Sequence, residues 1–110
     1  RLVVFSLDGK LDLPTMPPPV FAKPLKEPEF VVFDELAERG SFVWSQSCGM
    51  CHGPAGTAGG YAPDLRASPV MLNDKALHQV VFEGTRRELG MPNFKDINAD
   101  DLKAVQHYIR

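Results

Sequence analysis

Cys48-Gly49-Met50-Cys51-His52 puts two thiols and an imidazole in one short stretch. Thiols at this spacing can add across the two vinyl groups of a single porphyrin and fix it covalently. A histidine directly after the second thiol is then held beneath the iron as the proximal ligand. The chain has no other cysteine, so the motif uses both. A dithiol redox centre would want a βαβ pattern around the pair, and none is visible. A tetrahedral zinc site would need two more ligands at suitable spacing, whereas His78 and His107 stand isolated. The reading is one covalent c-type haem on Cys48 and Cys51, with His52 on the iron.

The iron's sixth position then needs a ligand, and Met91 is the candidate. It lies in Gly90-Met91-Pro92-Asn93-Phe94, where Pro92 lacks an amide hydrogen and drives Met91 toward extended backbone angles. Gly90 allows close approach to a flat ligand. Met/His ligation raises the reduction potential and suits an iron that cycles between two oxidation states. Met71, in the run Val70-Met71-Leu72, reads as core filler. Met50 sits within the attachment loop, and Met16 in a proline-rich stretch. His78 and His107 fall in amphipathic helices, where a solvent-facing histidine is the commoner outcome.

His52 should also have an acceptor for its other ring nitrogen, fixing tautomer and ring plane. The glycine-rich loop 53–65 can fold back under the ring, and the Pro63 carbonyl is the candidate. Haem propionates want cationic donors. Arg66, Arg86 and Arg87 are near enough in sequence, and Arg66, directly after the loop, is favoured.

The elements that must position these groups read as helices. Phe33, Leu36, Ala37, Gly40, Val43 and Trp44 recur at helical spacing and run into the motif, with Asp34 as cap. Gly40, costly in a helix interior, marks a close crossing by another helix. Ser68-Pro69 reads as a cap followed by proline at the first helical position. Asn73 or Asp74 caps a helix with the apolar face Leu77, Val80 and Val81, ended by Gly84. The last helix begins near Asn98 with Asp100 and Asp101 in its first turn. Its stripe is Leu102, Val105, Tyr108 and Ile109, and Tyr108 or Leu102 is expected against Gly40.

Upstream, Leu2–Leu7 reads as a strand closed by a turn at Asp8-Gly9. It has no partner strand in the remaining sequence, so residues 1–11 look like a remnant of an upstream sheet. Neither an initiator methionine nor a signal-peptide pattern is present, and no run is long and apolar enough to span a membrane. Residues 12–29 carry six prolines and read as a stiff extended linker, spanning up to roughly 50 Å at about 3.1 Å per residue. That leaves 30–110 as the haem domain, small enough that the porphyrin must complete its core. With 12 Lys and Arg against 14 Asp and Glu, the net charge of −2 and the lack of a basic stripe argue against a nucleic-acid partner.

On these motifs residues 30–110 resemble a class I cytochrome c domain, which implies an all-α fold. The order Ala62-Pro63-Asp64-Leu65-Arg66 before Gly90-Met91-Pro92, with the strand and proline segment ahead, is most similar to the C-terminal cytochrome domain of quinohaemoprotein alcohol dehydrogenases. That resemblance implies an upstream propeller carrying pyrroloquinoline quinone (PQQ) and calcium, neither of which this chain has residues to bind. It implies Cys48 and Cys51 as thioether attachments, His52 and Met91 as axial ligands and Pro63 as acceptor. It implies a periplasmic domain without catalytic residues of its own. Such a domain passes single electrons from the reduced quinone cofactor to a copper protein, a cytochrome or a quinone pool. The alternatives are a free-standing periplasmic cytochrome c and a haem domain that binds a small molecule at an exchangeable sixth site.

Overall fold

A computed structural model describes residues 6–12, 15, 17, 18, 22–57 and 62–110. Four helices run α1 (Asp34–Ser47), α2 (Gly49–His52), α3 (Asp74–Val81) and α4 (Ala99–Ile109), joined by short 3₁₀ turns. The fold is all-α, with no strand among the described residues. The strand read at Leu2–Leu7 lies mostly outside the described residues. A turn is present one residue earlier than read, at Leu7-Asp8, with the Gly9 amide donating to the Ser6 carbonyl at 3.1 Å.

Helix α1 and helix α4 form the most extensive helix pair. They can approach closely because Gly40 presents no side chain: a Cβ there would overlap the Ala104 carbonyl and stand 3.0 Å from the Tyr108 Cβ. The crossing expected at Gly40 therefore involves Tyr108, with the Ala104 backbone, rather than Leu102, nearest. Trp44, Met71, Leu77, Leu102, Val105 and Ile109 anchor the buried core around this crossing.

The capping residues are partly those expected. Asn73 accepts from the Ala76 amide at 2.9 Å and Asn98 from the Asp101 amide at 2.9 Å, each satisfying one orphan donor of its helix. Asp34 is not a cap but the first helical residue, where its charge favours the helix dipole. The cap position falls to Phe33, which makes no side-chain cap bond. Ser68-Pro69 opens a 3₁₀ turn (Pro69–Leu72), and Ser68 likewise makes no side-chain cap bond. Helix α3 ends at Val81, short of Gly84.

Two burial patterns depart from the sequence reading. Phe33 is exposed, whereas His107 is only 4 % exposed and packs against the rings of Phe30 and Phe33 at 4.9 and 5.5 Å. His107 is thus not solvent-facing, because α4 is enclosed on more than its apolar stripe: Ala104 and Gln106 are buried as well. Gln106 stays satisfied by donating to the Met71 carbonyl at 3.2 Å and to Asp74 at 3.0 Å, tying α4 to the start of α3. Among the described residues, hydrogen bonding to the helical body starts at Leu25, within the segment read as linker, where the amide donates to the Arg66 carbonyl at 2.9 Å.

Candidate functional site

Helix α1 leads directly into the thiols. The Cys48 amide closes its last turn on the Trp44 carbonyl at 2.9 Å, and the single turn of α2 carries Cys51 and His52. Cys48 and Cys51 are unpaired and both line one cavity. Burial, reinforced by Cys51, pushes the Cys48 thiol up to about 11, so it is protonated at neutral pH.

His52 is 7 % exposed and its orientation is fixed from two sides. Its Nδ1 lies 3.3 Å from the Pro63 carbonyl, a geometry in which a protonated Nδ1 donates and leaves Nε2 free. The Trp44 indole packs against the ring at 6.0 Å, and its Nε1 donates to the Gly53 carbonyl at 2.9 Å. That bond pins the turn leaving His52. Trp44 therefore orients the site as well as filling the core, a role that the helical stripe alone did not reveal. An indole has a donor that must find a partner when buried, which is the one signal the sequence carried.

Met91 is half-buried among core residues and lines the same cavity. Gly90 before it has φ 91°, a left-handed angle that side chains rarely adopt. The Met91 amide turns back to the Arg86 carbonyl at 3.2 Å, and Phe94 is held by its amide to the Val81 carbonyl at 2.8 Å. Gly90–Phe94 is accordingly a non-helical span anchored at both ends. Met71 is 2 % exposed and also reaches the cavity wall, so it is both core residue and lining.

The cavity measures about 500 Å³, and most of its wall is apolar, with Leu77, Val80, Val81, Phe94 and Ile97 contributing. A pocket of that volume and lining suits a large flat apolar ligand with few polar points. The donor set on the lining fits an iron porphyrin: two thiols, an imidazole with a free nitrogen, and a thioether. Arg66 does not line this cavity. Its guanidinium grips Asp64 at 2.7 and 3.0 Å and holds that carboxyl below the usual range. Arg86 is the arginine on the cavity wall, and no hydrogen-bond partner for its guanidinium occurs among the described residues.

All-helical architecture around a Cys-x-x-Cys-His turn and an apolar cavity defines a cytochrome c-type domain, and comparison with known proteins agrees. Residues 35–109 match the family model described as cytochrome C oxidase, cbb3-type, subunit III, and the chain belongs to that family. It is 36 % identical over 111 residues to quinohemoprotein alcohol dehydrogenase ADH IIB of Pseudomonas putida, covering 99 % of this chain and 16 % of the relative. It is 37 % identical over 112 residues to lupanine 17-hydroxylase (cytochrome c) of a Pseudomonas species, covering 99 % of this chain and 15 % of the relative. Cytochrome c550 of Pseudomonas aeruginosa is 31 % identical over 90 residues, covering 78 % of this chain and 61 % of the relative. The chain is thus a cytochrome c-type electron-transfer domain related to the cytochrome parts of larger dehydrogenases. It spans only a small part of the first two relatives. No helix among the described residues is long and apolar enough to cross a membrane.

Proposed function

We propose that this domain carries single electrons from a reduced quinone cofactor, PQQ, in an upstream dehydrogenase domain to an acceptor outside it. The similarity of nearly the whole chain to a short part of a quinohemoprotein alcohol dehydrogenase, and of the dehydrogenase subunit of an alcohol dehydrogenase (quinone), carries the reading. In this reading Cys48 and Cys51 would hold one haem c by thioethers, and His52 and Met91 would supply ligands to its iron. The haem supplies a one-electron ferric/ferrous couple.

The chain's own residues keep reorganisation small. Pro63 takes the Nδ1 hydrogen of His52, and Trp44 braces the imidazole and the turn beyond it. The Met91 backbone is held by the Arg86 carbonyl, so both residues would start from anchored positions when charge changes. The apolar wall would keep water from a bound haem iron, which together with a thioether ligand would favour a raised potential. Lining of the cavity supports Arg86, rather than Arg66, as the cation that would receive a propionate. Calcium and PQQ belong to the upstream domain. Thioether attachment is made outside the cytoplasm, which puts the domain in the periplasm, facing a copper protein, a second cytochrome or a quinone pool.

The experiment is expression in a host able to mature c-type haem, followed by mass measurement under denaturing conditions. Protein plus one porphyrin is the expected species, and alcohol added to the intact parent enzyme should reduce it. Colourless protein with both thiols open to alkylation would sink the haem reading. A coloured protein that the parent's substrate cannot reduce would sink the electron path.

A further inference from the structure

A strap joins the end of the linker to the loop beneath His52. The Leu25 amide donates to the Arg66 carbonyl at 2.9 Å. Arg110, following α4, donates from Nη1 to the carbonyls of Leu25 at 3.3 Å and Arg66 at 3.1 Å, and from Nη2 to Ser68 at 3.4 Å. One guanidinium thus ties three carbonyls from two segments, and bonds from a charged donor are the stronger kind. Burial lowers the Arg110 pKa, and the charge of Glu27, also in the linker, opposes that shift and favours the charged guanidinium.

From Arg66 the connection continues to the proximal side. The Arg66 amide and guanidinium both bond to Asp64, at 3.0 Å from the amide and 2.7 Å from Nη2, which stiffens the turn between them. Asp64 directly follows Pro63, whose carbonyl faces His52 Nδ1 at 3.3 Å. The Arg66 carbonyl therefore cannot shift far without moving the Pro63 carbonyl.

We propose that docking of the linker at Leu25 sets the strength of the His52–Pro63 hydrogen bond, and through it the reduction potential of the haem. The inference rests on His52 being the proximal ligand. A ligand imidazole whose far N–H is well bonded is more basic and gives more electron density to the metal, which favours the ferric state. Release of the strap weakens that bond and raises the potential. A partner that pulls on the linker would so act on the iron without touching the haem. Arg110 and Leu25 are positioning residues.

The test uses the haem-loaded chain with Arg110→Gln, Leu25→Pro and, as control, Arg39→Gln. Leu25→Pro removes one amide donor from an exposed segment and decides the matter if Arg110→Gln does not fold. Arg39→Gln breaks the remote surface pair with Asp101, 2.7 Å long, and leaves the strap alone. At a fixed poise the strap variants should show a ferrous-to-ferric ratio raised about threefold, or about 28 mV at 59 mV per decade. The paramagnetic NMR shifts of the His52 ring should move with it, and the control should match the parent. Folded strap variants with the parent's potential and ring shifts would overturn the coupling. A control that moves as far as the strap variants would do the same, showing general loosening. A parent chain without haem defeats the haem reading and this inference together, so the two failures are distinguishable.

Discussion

Phe33 and His107 share one hydrogen: the Phe33 amide donates to Nδ1 of the imidazole at 3.2 Å. An acceptor Nδ1 carries no proton, so the ring is the neutral tautomer with its hydrogen on Nε2. The bond joins the cap position of α1 to the last turn of α4, where the side chain of Asp34 makes no cap bond. Protonation of Nδ1 would replace an acceptor with a second donor and break this link.

A pH dependence follows. Burial, then the charge of Lys103 on the same helix, lowers the His107 pKa below its ordinary 6.5. The unfolded chain therefore takes up the proton first as pH falls, and stability drops with it. The contribution is present above pH 6.5 and is lost as pH falls from there through the lower folded value. Thermal unfolding of the haem-loaded protein between pH 7.5 and 5.5 should show this decline. His107→Gln should flatten it in that window while costing about 1 kcal/mol at pH 7.5, the usual worth of one hydrogen bond. An equal slope in both proteins would assign the pH dependence elsewhere.

Gly40→Ala sets two effects against each other. Alanine is the better helix former by about 1 kcal/mol. The new methyl, however, meets the Ala104 carbonyl, a backbone atom that cannot rotate away. Overpacking of this kind costs about 3 kcal/mol, so the clash wins and the helices must separate. The melting temperature should fall by about 10 °C, at roughly 4–8 °C per kcal/mol for a domain of this size. A rise in melting temperature would mean that α1 and α4 are not in contact at Gly40.

What the sequence revealed was whatever rests on local chemistry. Cys48, Cys51 and His52 are adjacent, Pro92 dictates the shape around Met91, and Gly40 stands out in an apolar stripe. The asparagine caps at Asn73 and Asn98 follow from short-range hydrogen bonding. Long-range partnerships were illegible. His107 looked like surface because its acceptor role depends on an amide 74 residues away. Gln106 is polar at a buried position, and only the neighbouring Met71 carbonyl and Asp74 make that tolerable. Arg66 stood in the right place along the chain, yet Asp64 two residues earlier holds its guanidinium. Arg86 reaches the cavity because the turn Arg86–Met91 folds it there.

Met91 and Met71 both line the cavity, and substitution separates a ligand from a core residue. Met91→Ala should leave the haem attached but lower its potential, and the ferrous protein should bind carbon monoxide at neutral pH where the parent does not. Met71→Ala should keep the potential close to the parent's and instead lose about 2–5 kcal/mol of stability, the cost of emptying a buried site. Redox titration and thermal melts on the two variants read both quantities. A Met91→Ala protein with the parent's potential would remove Met91 as a ligand.

Arg86 and Arg66 offer a parallel separation for the propionates. A guanidinium near a carboxylate stabilises the charged form and lowers its pKa by about 1–3 units, toward the low end where solvent screens the pair. Arg86 is exposed as well as lining the cavity, so the low end applies. In Arg86→Gln the inflection in reduction potential against pH should move up by about one unit. Loss of the positive charge should also raise the ferric share, lowering the potential on the alkaline side. Arg66→Gln should leave the inflection in place, since its charge is spent on Asp64, and should act on the 63–68 loop instead. Potentials measured from pH 4 to pH 8 on both variants check this, and an inflection moved by Arg66→Gln alone would reverse the assignment.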